Sequence, residues 1–348
     1  MNAIETDRLT KTFAPARSYR SYVGGRREAD RIAVDAVDLS VPTGQVFGLL
    51  GQNGAGKTTL VRMLTTLLLP TVGTARIAGL DVVRDSRAVR ARIGLISGDE
   101  RSFSFRLSGL ANLEFFAALQ HLPPELARRR IRSLAERLEM AAHLDRPFGR
   151  LSSGQRQKLA IIRGLMGEPD ILFMDEPTRS LDPISAADIR AFVAEHIVAG
   201  LGRTVVLATH SMREAEALCD RLAFLQAGRI VASGTVPELQ AAIDYGIRCE
   251  LQVAGLDRAR LAALTGTTAD SAVIEAEPDG RSLRLETAVA DQEGVARLIA
   301  AVVHAGGSIL ACRTRPPSLE EIYVRTLGSA PGATDEAGQT TTSGHPTR

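Results

Sequence analysis

The chain has 348 residues, 45% hydrophobic and 24% charged, with a net charge of +2 at pH 7. That length suits about two domains, and the near-balanced charge argues against nucleic acid drawn by bulk electrostatics. Three scattered cysteines, Cys219, Cys249 and Cys312, argue against a disulfide framework or a zinc site and fit a reducing cytosol. The opening MNAIETDRLTK has no apolar signal core. No run approaches the roughly twenty apolar residues of a membrane span, so work at a membrane is expected to go through a partner.

In chain order, residues 1–13 predict a strand with Ile4, Leu9 and Phe13 as its apolar positions. Residues 14–30 interleave Arg17, Arg20, Arg26 and Arg27 with Tyr19 and Tyr22. That composition fits a solvated loop, or a surface for nucleic acid or anionic lipid. Alternation returns at Ile32, Val34, Val37, Leu39 and Val41, and Pro42-Thr43-Gly44 turns into the apolar run Val46 to Leu50.

The next stretch, GQNGAGKTT from Gly51 to Thr59, organises the chain. It stands between a strand and a helical pattern (Leu60, Val61, Met63, Leu64), the setting of a phosphate-binding loop. Gly51, Gly54 and Gly56 let successive N–H groups point into one hollow, and the following helix adds partial positive charge. Lys57 can reach outer phosphates, and Thr58 can place a hydroxyl on Mg²⁺. Asn53 and Thr59 complete the candidates in this loop.

Further on, a hairpin-like piece around Val72–Ile77 precedes a helix and the strand Ile93–Ile96. Residues 108–145 read as helices parted at Pro123-Pro124. Ile171–Met174 is a buried strand ending in Asp175-Glu176, and Val205–Ala208 another ending at Thr209-His210. Short apolar strands alternating with helices predict a mostly parallel sheet, whose ligands sit at the carboxyl strand ends. Gly51, Asp175 and His210 all fall there. Asp175 can hold a Mg²⁺ shell, and Glu176 can orient or deprotonate a water for attack on a γ-phosphate. After about residue 245 the order becomes β-α-β-β-α-β, the split βαβ of a ferredoxin-like fold, followed by a helix over 318–327. Residues 328–348 carry no large apolar side chain and are expected to be disordered.

LSSGQRQKLAIIRGLM, Leu151 to Met166, resembles the signature motif of ABC-transporter ATPases. The Gly51–Thr58 loop, ILFMDEP at Ile171–Pro177, SLD at Ser180–Asp182 and ATHSMREAEALCD at Ala208–Asp220 match that family in order and spacing over residues 3–240. The resemblance implies an α/β fold with a P-loop ATPase core: a mostly parallel sheet, an antiparallel β piece and a helical lobe near 99–165. An ATPase domain over 1–245 would then precede a ferredoxin-like α+β domain over 246–327. It implies ATP and Mg²⁺ as cofactors and a head-to-tail homodimer with two ATPs at its seam. Ser152, Gly154 and Gln155 would contact the partner's nucleotide, Asp182 would sit at the seam, and His210 would sense the γ-phosphate. The family carries a glutamine Mg²⁺ ligand where this chain has Gly98, so Asp99, Glu100 or water is expected to supply that oxygen. It also stacks adenine on an aromatic; Phe13 fits by its LTKTF context, with Tyr19 or Tyr22 as alternatives.

PSLEEIYVRTLG, Pro317 to Gly328, is similar to the end of daunorubicin-resistance-type export ATPases. That implies a separate polytopic permease as partner, drug or lipid-like efflux, and a peripheral place on the cytoplasmic face of the membrane. Phe103, Phe105, Phe115 and Phe116 fit either permease contact or core. The rival readings are a soluble ABC ATPase acting on nucleic acid or ribosomes, and a regulatory subunit that binds ATP without hydrolysing it. The single ATPase domain argues against the first, and Lys57, Asp175, Glu176 and His210 against the second.

Overall fold

The computed structural model describes residues 2–14, 30–98, 102–179, 181–242, 246–265, 273–277 and 281–328. The Arg- and Tyr-bearing stretch, the Asp99 and Glu100 candidates, Ser180 and the tail from 329 lie outside them. The chain forms two compact units, Met1–Val236 and Pro237–Arg348.

In the first unit, β1 (Asn2–Phe13) pairs antiparallel with β2 (Arg31–Pro42), and a second sheet begins at β3 (Val46–Leu50), which leads into helix α1 (Lys57–Leu64). β4 (Val72–Ile77) and β5 (Leu80–Asp81) complete an antiparallel sheet in the order β2-β1-β4-β5. Helix α2 (Ser86–Arg92) leads to β6 (Ile93–Ser97). The helical lobe is α3 (Gly109–Leu119), α4 (Pro124–Arg137) and α5 (Ser153–Leu165). β7 (Ile171–Asp175), α6 (Pro183–Phe192), β8 (Thr204–Thr209), α7 (Met212–Leu218), β9 (Arg221–Gln226) and β10 (Arg229–Gly234) follow. The six-stranded sheet runs β10-β9-β3-β8-β7-β6, parallel except for the β10–β9 edge pair.

The predicted continuous apolar runs are buried on both faces because both faces are covered. Along β7, Ile171 and Phe173 join the core shared with the antiparallel sheet and α1, while Leu172 and Met174 join the core shared with the helical lobe. The aromatics of the lobe divide. Phe103 is buried and stacks on Phe148 at 4.6 Å, with Phe116 edge-on to it. Phe105 and Phe115 stay exposed, at 51% and 56%.

The second unit begins with α8 (Val236–Ala242), whose first residue still belongs to the first unit. The division thus falls ahead of residue 245, and Gln240 on α8 donates to the Pro317 carbonyl at 2.9 Å. β11 (Ile247–Ala254), α9 (Arg258–Thr265), β12 (Val273–Ala276), β13 (Ser282–Val289), α10 (Gln292–His304) and β14 (Ser308–Arg315) follow, then α11 (Leu319–Gly328). The sheet is antiparallel in the order β12-β13-β11-β14, with β11 and β13 at its centre. That is the split βαβ order. Among the described residues no helix is long and apolar enough to cross a membrane.

Candidate nucleotide and hydrolysis site

Three adjacent strands of the parallel sheet, β3, β8 and β7, bring their carboxyl ends together, with β6 beside β7. The loop from Gly51 follows β3, His210 follows β8, and Asp175 closes β7. Gly56 is required by both conformation and space. Its φ is +109°, and a Cβ there would come within 2.4 Å of the Ala33 carbonyl. Asn53, Gly54, Gly56, Lys57, Thr58 and Thr59 line one hollow, and Gly51 begins the loop behind it.

Lys57 is buried and folded back, donating to the carbonyls of Gly51 at 2.6 Å and Gln52 at 3.2 Å. Its Nζ lies 3.8 Å from Glu176 Oε1. Burial pulls the Lys57 pKa down, with Glu176 and Asp175 holding it up. Thr58 Oγ1 donates to Asp175 Oδ1 at 3.3 Å. Burial raises the Asp175 pKa, opposed by that hydroxyl. Glu176 Oε2 is 2.5 Å from His210 Nδ1, so the two predicted polar residues of neighbouring strand ends do meet. Glu176 also sits at φ +53°, a left-handed conformation uncommon outside glycine.

Thr58, Asp175 and Glu176 face a second, larger cleft of about 530 Å³, together with Ser97, Gly98 and Gln157. A Cβ at Gly98 would stand 3.0 Å from the Glu176 carbonyl, tight enough that glycine suits the position sterically. The hard oxygens of Thr58 and Asp175, adjacent at the mouth of the loop, fit a Mg²⁺ ion.

The signature residues are placed differently. Ser152 caps α5, accepting from Gln155 N at 3.2 Å, while Gln155 Oε1 accepts from Ser152 N at 3.1 Å. Ser153 and Gln157, rather than Ser152, Gly154 or Gln155, line the cleft. Gly154 packs on α6, where a Cβ would meet Ser185 Oγ at 2.7 Å. Asp182 caps α6, accepting from Ile184 N, Ser185 N and Ser185 Oγ, and the Ser185 hydroxyl lowers its pKa. Phe13 is 39% exposed and pairs in register with Arg31, which lines the hollow.

The sequence motifs assign no role to three further polar groups near these strand ends. Arg179 lines both hollow and cleft. Gln157 is 4% exposed and its Nε2 has no hydrogen-bond partner among the described residues. Glu214 is 2% exposed, accepts from Thr178 Oγ1 at 2.9 Å, and is pushed up in pKa by burial. The available signals were a cation just after Glu176 and polar residues on the inner faces of α5 and α7.

A family profile described as ABC transporter matches residues 34–179. The daunorubicin resistance ATP-binding protein DrrA3 of Streptomyces coeruleorubidus is 39% identical over 309 residues, covering 87% of this chain and 93% of that protein. The Nod factor export ATP-binding protein I of Ralstonia nicotianae is 35% identical over 307 residues, covering 87% and 91%. Among solved structures, cbiO1 from Clostridium perfringens, part of the ABC transporter complex cbiONQ, aligns with a TM-score of 0.58 and 26% identity over 69% of this chain and 91% of that one. With its nucleotide loop, acidic strand end and near-full-length relatives in agreement, the chain belongs to the ABC transporter family and is one of its ATPases.

Proposed function

We propose that the chain is the ATP-hydrolysing subunit of an exporter, in which two copies close around two ATPs and drive a separate polytopic permease from the cytoplasmic face of the membrane. The observation that carries the hydrolytic reading is the meeting of Lys57, Thr58, Asp175, Glu176 and His210 at adjacent strand ends. Lys57 leaves its loop carbonyls for the outer phosphates. Glu176 orients a water and takes its proton, and His210 holds the far oxygen of that carboxylate. Thr58 and Asp175 would hold Mg²⁺, which when bound neutralises charge on the phosphates.

Ser152, Gly154 and Gln155 stand outside the chain's own cleft lining, which suits a role toward the nucleotide of a second copy. ATP then favours the closed pair by binding both copies, and hydrolysis removes that bias. Asp182, capping α6 at the same edge, would lie near the seam. Phe13, beside Arg31 of the hollow, would carry the adenine. Two long relatives with resistance and export in their names support efflux of a drug or lipid-like compound. The exposed Phe105 and Phe115 are the proposed permease contact.

A tagged pull-down from mildly solubilised membranes, with mass spectrometry, tests the assembly. Near-equimolar recovery of a small polytopic membrane protein is expected. Recovery only from the soluble fraction, with ribosomes or DNA attached, would overturn the exporter reading.

A further inference from the structure

Arg179 is the feature of the site that no motif accounts for. Glu176, in its left-handed conformation, starts a turn closed by the hydrogen bond from Arg179 N to the Glu176 carbonyl at 3.1 Å. That turn carries the arginine back over the site. It lines the phosphate hollow beside Lys57 and Glu176, and the cleft beside Thr58, Asp175 and Gly98. Where a Cβ at Gly98 would stand, the Arg179 Cβ is 3.9 Å away. A side chain at position 98 would therefore share this corner of the cleft with Arg179.

Its guanidinium has no ion pair or side-chain hydrogen bond among the described residues. Arg130, Arg203 and Arg229 of the first unit, by contrast, pair with carboxylates. Lys57 is already paired with Glu176 at 3.8 Å, so a second cation lining the hollow would add to the charge available to a triphosphate. Arg31, the other arginine lining it, stands on the β1–β2 side, opposite Phe13. Arg179 stands on the Glu176 side, where the terminal phosphate is attacked.

We propose that Arg179 is a catalytic residue of this ATPase, its guanidinium donating to the terminal phosphoryl group of ATP bound to the same chain. A planar fork of N–H donors matches phosphoryl oxygens in pairs. Its charge is worth most as negative charge builds on those oxygens during transfer to water. With its Cβ beside Gly98, it would contribute a cation on that side of the cleft.

The inference rests on reading the Lys57 hollow as the ATP site. The test is the full chain with Arg179→Gln, which keeps a polar, hydrogen-bonding side chain but removes the charge and the guanidinium fork. Calorimetric titration with ATP and with ADP, both with Mg²⁺, is compared with steady-state turnover. Expected are a loss of about tenfold in ATP affinity, ADP affinity within about twofold of the parent, and a fall of at least tenfold in kcat. Arg179→Lys should restore part of the ATP preference, as a point charge without the fork. Equal losses for ATP and ADP, or no change in either ATP affinity or kcat, would overturn the proposal. Lys57→Ala separates it from the underlying reading. If that variant binds both nucleotides like the parent, the hollow is not the ATP site and both readings fall. If it loses them while Arg179→Gln changes nothing, only the proposal falls.

Discussion

The two units treat buried charge in opposite ways. In the first, Asp175 and Glu214 are carboxylates whose pKa values burial pushes up, and Lys57 is a cation whose pKa burial pulls down. Burial makes the charged form of each costly, and of the three Lys57 and Asp175 line the nucleotide site. In the second, Glu321 accepts from Arg248 at 2.7 Å, Arg315 at 2.9 Å and Ser318 N at 2.7 Å. Burial opposes its charge, but those donors win and bring its pKa down to about 2. The contrast teaches where chemistry resides. Charge left under-satisfied marks a working site, and charge fully satisfied marks a joint that holds a fold together.

The strongest way to break that contrast is Glu176→Gln. Turnover should fall roughly 10²–10⁴-fold, the range for a lost general base, while ATP binding persists. Phosphate release measures this, and near-parental turnover would remove Glu176 from the mechanism. Glu321→Gln should do the reverse, leaving turnover intact while costing the second unit about 2 kcal/mol at neutral pH. The sign follows from a depressed pKa. The stabilisation is present above the unfolded carboxyl value near 4.5 and lost as pH falls toward about 2. Denaturant melts across that window should slope in the parent and flatten in the variant.

Glu214→Gln sharpens the comparison from the other side. A raised pKa means that its contribution is fully present below the unfolded value and lost as pH rises through the folded one. The amide removes that loss, so the variant should melt a few degrees higher than the parent at neutral pH and match it at low pH. A drop in melting temperature would show that the charge is satisfied after all. The smallest effect is expected from Phe13→Ala, with KM for ATP rising about three- to fivefold and kcat unchanged. An equal KM in parent and variant would place the adenine elsewhere.

The site was legible in the sequence wherever function is written into adjacent residues. GQNGAGKTT carries its own turn, loop and helix start. Four apolar residues before Asp175-Glu176 announce a strand end. His210 was legible as a strand end too, but its 2.5 Å contact with Glu176 needs β8 to lie beside β7. Arg179 and Gln157 were invisible as site residues, because what sets them apart is the lack of a side-chain partner among the described residues, and partners are tertiary facts. Gly98 read as a lost ligand. The structure adds a steric reason, the Glu176 carbonyl at 3.0 Å. The cysteines show the same limit. Cys249 and Cys312, distant in sequence, interact across the β11–β14 pairing, and Cys249 is raised to about 12 by burial first and then by Cys312.

The sequence by itself determined the phosphate loop, the acidic strand end, the parallel character of the sheet and the βαββαβ order of the second unit. Each depends on local periodicity or on contiguous residues with fixed backbone needs. Only the tertiary structure decided which polar groups share a cleft, which aromatics are core and where the second unit begins. Those follow from strand order and helix packing, which bring together residues far apart in sequence and set how each one is solvated.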